Sequence, residues 1–258
     1  MTDEFGLSGK TLLVTGAGRN IGRAIVLEFA ARGANVVINA RSNAAEAEAV
    51  RAEAEALGAK TLVVLGDAAA KSTIEELATR AEETFGGVDI YVSNAARRLH
   101  RTFWDTTDDD WHRYLNQQLT ASWYLSKALV PGMRERGFGR ILHMNGPDGW
   151  VGGATRLPHS TAKGGLRTFT KSLAAAVGEY GITVNDVDPG FTDTIRDMDT
   201  HPGMTRERSD EIAQERIPIK RQPTPEEVAW ACVFLAAERS AAITGSAVHV
   251  DGGLWMLG

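Results

Sequence analysis

The sequence predicts an α/β fold, a doubly wound parallel sheet of about seven strands with helices on both faces. Three observations carry this. Short apolar runs at 11–14, 35–39, 61–65, 89–92, 140–144, 182–187 and 247–250 alternate with stretches of helical period, and repeated strand-then-helix order builds a parallel sheet. Runs such as Leu12-Leu13-Val14 and Val36-Val37-Ile38 are apolar without polar alternation, as strands covered on both faces must be. A glycine-rich turn follows the first run and opens a helix, the kind of connection at which these sheets bind phosphate groups.

The elements follow in order. After the glycine turn, Arg23-Ala24-Ile25-Val26-Leu27 reads as helix. Segments 44–57 and 72–85 set Ala, Leu and Ile at helical spacing against Glu and Arg, giving each one buried and one wet face. Thr107, with Asp110 on the next turn, forms a capping-box pattern that opens a long helix through Trp111, Leu115, Leu119 and Trp123 towards Pro131. Pro158 marks the start of a further helix. Segment 191–221, rich in Thr, Asp, Arg and Pro, breaks the rhythm after the sixth strand. An excursion there lies where a substrate is covered, so it is expected to act as a lid.

Composition bounds the rest. A chain of 258 residues can bury one large core, and with no repeat or linker a single domain over 1–258 is expected. The net charge of −5 and the scatter of Lys and Arg among Asp and Glu argue against a nucleic-acid partner. Cys232, alone in an apolar stretch, leaves no disulfide framework or thiolate metal cluster and is expected in the core. The N-terminus carries Asp3 and Glu4 without a basic start and apolar run, and no run approaches membrane-spanning length. A cytoplasmic protein with no membrane partner is the expectation.

The turn itself reads Thr15-Gly16-Ala17-Gly18-Arg19-Asn20-Ile21-Gly22. Gly16, Gly18 and Gly22 let the backbone approach a pyrophosphate, and the helix opening at Asn20 and Ile21 supplies N–H donors and a positive dipole end. Where Rossmann-type sites often hold a ribose-binding acid, at the end of the second strand, this chain has Ala40 followed by Arg41. Arg41 and Arg19 offer guanidinium donors to a 2′-phosphate, so NADP is expected in preference to NAD.

From the glycine turn to Asp251-Gly252-Gly253 the pattern resembles the short-chain dehydrogenase/reductase family in its single-domain form. Asp67, with Ala68, matches the adenine-contacting acid, and Ser93-Asn94-Ala95-Ala96 matches the family's Asn-Asn-Ala-Gly. Asn185 precedes Pro189-Gly190, with Thr192 and Thr194 where the nicotinamide end is held, and Ile243-Thr244-Gly245 leads to the terminal glycine pair. The resemblance implies a Rossmann-type fold, carbonyl–alcohol redox chemistry on a small molecule and a homotetramer or homodimer.

It also locates four catalytic positions, which the family fills with Asn, Ser, Tyr and Lys. Here they hold Gln118, Gly146, His159 and Lys163, so only the lysine survives. In the family's chemistry Tyr protonates the carbonyl oxygen, Lys lowers the Tyr pKa and holds the ribose, Ser donates to the same oxygen, and Asn supports a water relay. Gly146 removes the hydroxyl donor, a loss typically worth about a hundredfold or more in rate. His159 titrates near neutrality and offers a substitute acid or base. A helix N-terminus and the Lys163 cation both disfavour imidazolium, so a neutral His159 is expected.

Asn145, Asp148 and Trp150 follow the fifth strand, and Arg97, Arg98 and His100 the fourth. Both sets lie on the ligand side and offer to rebuild a polar site, with the arginines favouring an anionic substrate. Ser160-Thr161-Ala162-Lys163 spells a Ser-x-x-Lys nucleophile motif, which carries no weight outside its own fold. Three readings remain at this point: an NADP-dependent oxidoreductase using His159 and Lys163, a non-redox isomerase or lyase in the same pocket, and a catalytically silent nucleotide-binding subunit.

Overall fold

The computed structural model describes residues 3–96, 98, 100–196 and 203–256. Its strands are β1 (Thr11–Val14), β2 (Asn35–Ala40), β3 (Thr61–Leu65), β4 (Ile90–Ser93), β5 (Gly139–Met144), β6 (Ile182–Pro189) and β7 (Ala247–Val250). They form one sheet in the order β3-β2-β1-β4-β5-β6-β7 with every pairing parallel. The order turns back between β1 and β4, and ligands bind beyond the carboxyl ends of strands at such a switch point.

Successive strand residues serve opposite faces. Leu12, Val14, Val36 and Ile38 join a core with α1 (Asn20–Ala30), α2 (Ala44–Ala56) and α8 (Pro225–Ala236), in which Cys232 is buried. Leu13, Val37, Tyr91 and Ile141 join another with α3 (Lys71–Phe85), α5 (Ala121–Arg136) and α6 (Leu157–Val177). This is the Rossmann-type doubly wound architecture. No described helix is long and apolar enough to cross a membrane.

Two expectations gain detail. The long helix opening at Thr107 is present, with a π-helical turn inside it, and runs on past Pro131. The capping box closes on Asp110, α4 runs over Asp108–Leu115, a π-helical turn occupies Asn116–Thr120, and α5 carries on past Pro131 to Arg136. Buried Leu129 and Met133 hold α5 on either side of the proline, and Gly137, at φ 65°, ends it. Segment 191–221 also holds regular structure: α7 spans Arg206–Arg216, capped by Thr205, whose Oγ1 accepts from the Arg208 amide at 3.2 Å. Its polar surface hid that helix from a periodicity argument, since Ser209 and Ala213 are its only fully buried side chains.

Candidate active site

The glycine turn after β1 is built for close approach. Gly16 has φ 65°, and a side chain on Gly22 would meet the Gly16 carbonyl at 2.2 Å. Asn20 takes φ 51°, a left-handed conformation that Asn tolerates better than most residues. Asn94 braces the turn: its Nδ2 donates to the Thr15 and Gly16 carbonyls at 3.0 Å, while Thr15 Oγ1 accepts from the amides of Asn94 and Ala95. Asp67 is exposed at the end of β3, where its carboxylate accepts from the Ala69 amide, and Ala68 behind it is buried. Arg19 and Arg41 are both at the surface. The carboxylate of Glu46, from the first turn of α2, lies against Gly18, which also faces Ala40, so an acid reaches this place from the helix and not from the strand end.

At the other end of the cradle, Pro189 closes β6 and the Gly190 amide donates to Val250 O at 3.2 Å. Gly190 packs so closely on Asp251 that a Cβ would approach it to 2.4 Å. Thr192 is buried, with no partner for its Oγ1 among the described residues, whereas Thr194 is half-buried. An orphaned buried hydroxyl next to a glycine cradle fits a polar ligand such as a nicotinamide carboxamide. The cradle is also tied to segment 191–221: Asn20 Nδ2 donates to Ile195 O and the Ile195 amide donates to Asn20 Oδ1, both at 3.0 Å.

Lys163 and His159 lie one turn apart on the buried face of α6, with Pro158 in its first turn. Lys163 Nζ donates to Met144 O at 2.5 Å, and burial lowers its pKa to about 8 against the pull of Asp186, Asp188 and Asp148. His159 is only 6 % exposed, and its Nε2 lies 3.3 Å from Asp148 Oδ2. Burial holds the imidazole below its ordinary value; the Asp148 hydrogen bond opposes this, and the charges of Lys163 and Arg98 add to it. Nδ1 of the same ring has no partner among the described residues. A tautomer protonated at Nε2 would donate to Asp148 and leave Nδ1 as an acceptor.

Asp148 joins several groups. Arg98 Nη1 donates to it at 3.4 Å, and Arg156 Nη1 lies 2.9 Å from Oδ1 and donates to Oδ2 at 3.1 Å. Burial pushes its carboxyl up, yet the His159 bond and the Arg156 and Arg98 charges bring it below the ordinary range. A cavity of about 10 Å³ beside His159, lined by Tyr114, Asp110 and Arg101 among others, has room for about one water. An open cleft of about 270 Å³ adjoins Asp148, floored by Trp150, Gly152 and Leu157.

Gln118 is buried in the π turn with neither amide atom partnered. Gly146 occupies φ 117°, ψ 176°, a conformation that essentially only glycine adopts, and its amide donates to Asp188 Oδ1 at 2.8 Å. Asn145 and Trp150, expected on the ligand side, turn inward: Asn145 Nδ2 donates to Asp186 at 3.2 Å and Trp150 Nε1 to Asp188 at 2.8 Å. His100 Nδ1 lies 3.3 Å from Thr155 Oγ1, and Arg97 falls outside the described residues.

Sequence reasoning missed the charged layer beneath. Asp186 and Asp188 are buried on β6, and Arg167, one turn beyond Lys163, donates to Asp188 at 2.8 Å and lies 3.7 Å from Asp186. Burial raises Asp186 to about 6, and Thr170 Oγ1 bridges it to His143 Nδ1 at 2.7 Å on each side. The signal was available, because two carboxylates in a buried strand call for a cation or hydrogen-bond donors. Among the described residues, no group of His, Cys, Asp and Glu is arranged to hold a metal.

A glycine cradle at the switch point, a buried lysine beyond β5 and an imidazole beside it define a dinucleotide-binding α/β oxidoreductase class. A family model described as enoyl-(acyl carrier protein) reductase matches residues 16–255. L-rhamnose 1-dehydrogenase (NAD(P)(+)) of a Sphingomonas species is 35% identical, over 97% of this chain and 98% of that one. The 3-oxoacyl-(acyl-carrier-protein) reductase of Escherichia coli is 36% identical, over 96% and 98%. A crystal structure of a putative gluconate dehydrogenase from Agrobacterium tumefaciens superposes with TM-score 0.90 at 31% identity, covering 98% of this chain and 99% of that one. The chain belongs to the short-chain dehydrogenase/reductase family of oxidoreductases.

Proposed function

We propose that the chain is an NADP(H)-dependent oxidoreductase of small alcohols and carbonyls in which His159, oriented by Asp148, takes the proton-transfer role. The observation that carries this is the 3.3 Å approach of His159 Nε2 to Asp148 beside a buried Lys163. Gly16, Gly18, Gly22, Asn94, Gly190 and Thr192 would hold the dinucleotide, with Arg19 and Arg41 beside its 2′-phosphate and Glu46 opposing them. When bound, the nicotinamide exchanges a hydride with the substrate's carbonyl carbon. Lys163 spends one N–H on Met144 O and keeps two for ribose hydroxyls.

A neutral imidazole is a base, so His159 is suited to taking the proton from an alcohol. Asp148 then stabilises the imidazolium, as a buried carboxylate does for any catalytic histidine. The names of two relatives, a rhamnose and a gluconate dehydrogenase, agree with this direction. A second reading, proton abstraction without hydride transfer, is favoured by the loss of a hydroxyl donor at Gly146. Segment 191–221 is read as the lid, latched through Asn20. The half-exposed Trp123 on α5 supports a homo-oligomer, whose mass in solution ultracentrifugation would measure.

The test follows nicotinamide absorbance while sugars, sugar acids and hydroxy acids are offered with NADP⁺ to wild type and His159→Ala. Substrate-dependent NADPH formation that falls about 10²–10⁴-fold in the variant supports the proposal. Turnover without absorbance change would move the assignment to the second reading.

A further inference from the structure

We propose that a single water, held between His159 Nδ1 and the Asp110 carboxylate, carries every proton that the imidazole gains or loses. The ring has two nitrogens, and Nε2 is committed to Asp148 at 3.3 Å. Asp148 is bound in turn by Arg98 and Arg156, so it stays a carboxylate and leaves Nε2 its proton. Nδ1 is the ring's remaining polar atom, buried and with no partner among the described residues. A buried acceptor of this kind calls for a donor. His159 also lines the cavity of about 10 Å³, which is the space one water needs.

The cavity supplies the further polar partners that a buried water requires. Asp110 lines it, and both capping bonds fall on one oxygen of its carboxylate: Oδ2 accepts from the Thr107 amide at 3.2 Å and from Thr107 Oγ1 at 3.0 Å. Oδ1 keeps its acceptor capacity. A water in this place gives one hydrogen to Nδ1 and the other to Asp110, while the Arg101 guanidinium, 3.3 Å from Asp110 Oδ2, is a donor to its lone pair. The Tyr114 ring stands edge-on to the imidazole at 6.5 Å, and Pro158 completes the inner wall. Arg101 and Thr155 are exposed where Asp110, Tyr114, Pro158 and His159 are buried, so the cavity leads from the imidazole towards solvent. The Arg101 amide donates to Thr155 O at 2.8 Å and fixes that outer side. It belongs to the connections after β4 and β5, at the carboxyl ends of the strands, where a substrate hydroxyl would arrive. As that hydroxyl gives its proton to the water, the water gives one of its own to Nδ1. The water is left neutral, the imidazole gains the charge, and the proton returns to solvent along the same path once product has left. Asp110 thereby acts as a positioning residue for the relay as well as the cap of α4.

The source of the proton rests on the oxidoreductase reading of the same site, so the test includes a measurement on the resting protein that does not. Protein labelled with ¹⁵N-histidine is compared by NMR near neutral pH as wild type, Thr106→Leu, Asp110→Asn and Asp109→Asn, with His159 assigned by its loss in His159→Ala and each fold confirmed by circular dichroism. Thr106→Leu fills the cavity, since Thr106 is half-buried and lines it. Asp110→Asn keeps an oxygen for the cap but removes the charge, and Asp109, exposed on the same helical turn, is the control. The expected result is a wild-type Nδ1 that resonates as a hydrogen-bonded acceptor, moves to the unbonded position in Thr106→Leu, moves part of the way in Asp110→Asn and stays in place in Asp109→Asn. In turnover, Thr106→Leu should lower kcat about tenfold or more with little change in KM. The dependence of kcat on deuterium content should be curved in wild type, where two protons move together, and linear in that variant. Bonded Nδ1 without any nicotinamide-linked turnover would retain the water and remove the redox reading. An unbonded Nδ1 in wild type, or a Thr106→Leu protein whose Nδ1 resonance and kcat match wild type, would overturn the proposal.

Discussion

His159 Nε2 and Asp148 Oδ2 stand 3.3 Å apart, both side chains more than nine-tenths buried. The pair spans two connections, the loop after β5 and the first turns of α6, with His159 where the resemblance to the family expects a tyrosine. Burial lowers the His159 pKa from its ordinary value, which favours the neutral imidazole. On the proposed reading, the replacement alters the direction in which the site moves protons most readily.

The first consequence concerns pH. His159 lies below its ordinary value of 6.5 and Lys163 at about 8. Alcohol oxidation should hold its rate down to pH 6.5 and fall only below it, as the imidazole gains a proton. It should decline again above about pH 8 as Lys163 loses its charge. In Asp148→Asn the acid limb should move further down, because the carboxylate is what raises the imidazole, and the rate should drop about tenfold or more. A pH–rate profile, paired with an NMR titration of the His159 ring, measures both.

Restoring the family's serine will not restore its chemistry. At φ 117°, ψ 176° the backbone of Gly146 penalises any side chain by about 1–3 kcal/mol, although a Cβ would meet only Pro189 O at 3.4 Å. Gly146→Ser should lose that much stability in denaturant unfolding and gain no carbonyl reductase activity.

The proposed preference for NADP sets opposed charges against each other around Gly18. On that reading Arg41 and Arg19 favour a 2′-phosphate, while the Glu46 carboxylate against Gly18 repels it. Glu46→Gln should raise the affinity ratio of NADP to NAD about three- to tenfold, and Arg41→Ala should lower it by a similar factor. Parallel calorimetric titrations of both nucleotides check the pair.

Beneath the site, Asp186 has a folded pKa raised from 3.8 to about 6. A raised carboxyl contributes stability that is complete below its unfolded value and lost as pH rises through its folded one. At pH 8 the buried charge costs about 2–3 kcal/mol. Asp186→Asn should therefore gain most of this at pH 8 and almost none at pH 4, since Arg167 keeps Asp188 as a partner at 2.8 Å. Unfolding measured at the two pH values tests the difference.

How much of this was legible in the sequence follows from the range of the interactions. The strands and the glycine turn were readable because burial on two faces and close backbone approach act locally, through runs like Val36-Val37-Ile38 and through Gly16 and Gly22. The resemblance to the family pointed to Gln118, Gly146, His159 and Lys163, of which the structure sets His159 and Lys163 one turn apart on α6 and buries Gln118 in the π turn. The π turn at Asn116–Thr120 was not, since helical periodicity passes through it with little change. Nor was the meeting of Arg98, Arg156 and Asp148, which belong to loops brought together only by β4 and β5 pairing side by side. Glu46 escaped notice for the same reason: it reaches the glycine turn from the following helix rather than from the strand end where an acid was sought.

The most direct test of the account is a single-turnover measurement of NADPH formation from hydroxy acids and sugars at pH 7.5, comparing wild type with His159→Ala after both are shown to bind NADP⁺ equally. The account predicts a substrate-dependent burst in wild type that falls about 10²–10⁴-fold without the imidazole. An unchanged burst in His159→Ala would contradict it, because the proton would then be leaving by a route that the His159–Asp148 pair does not control.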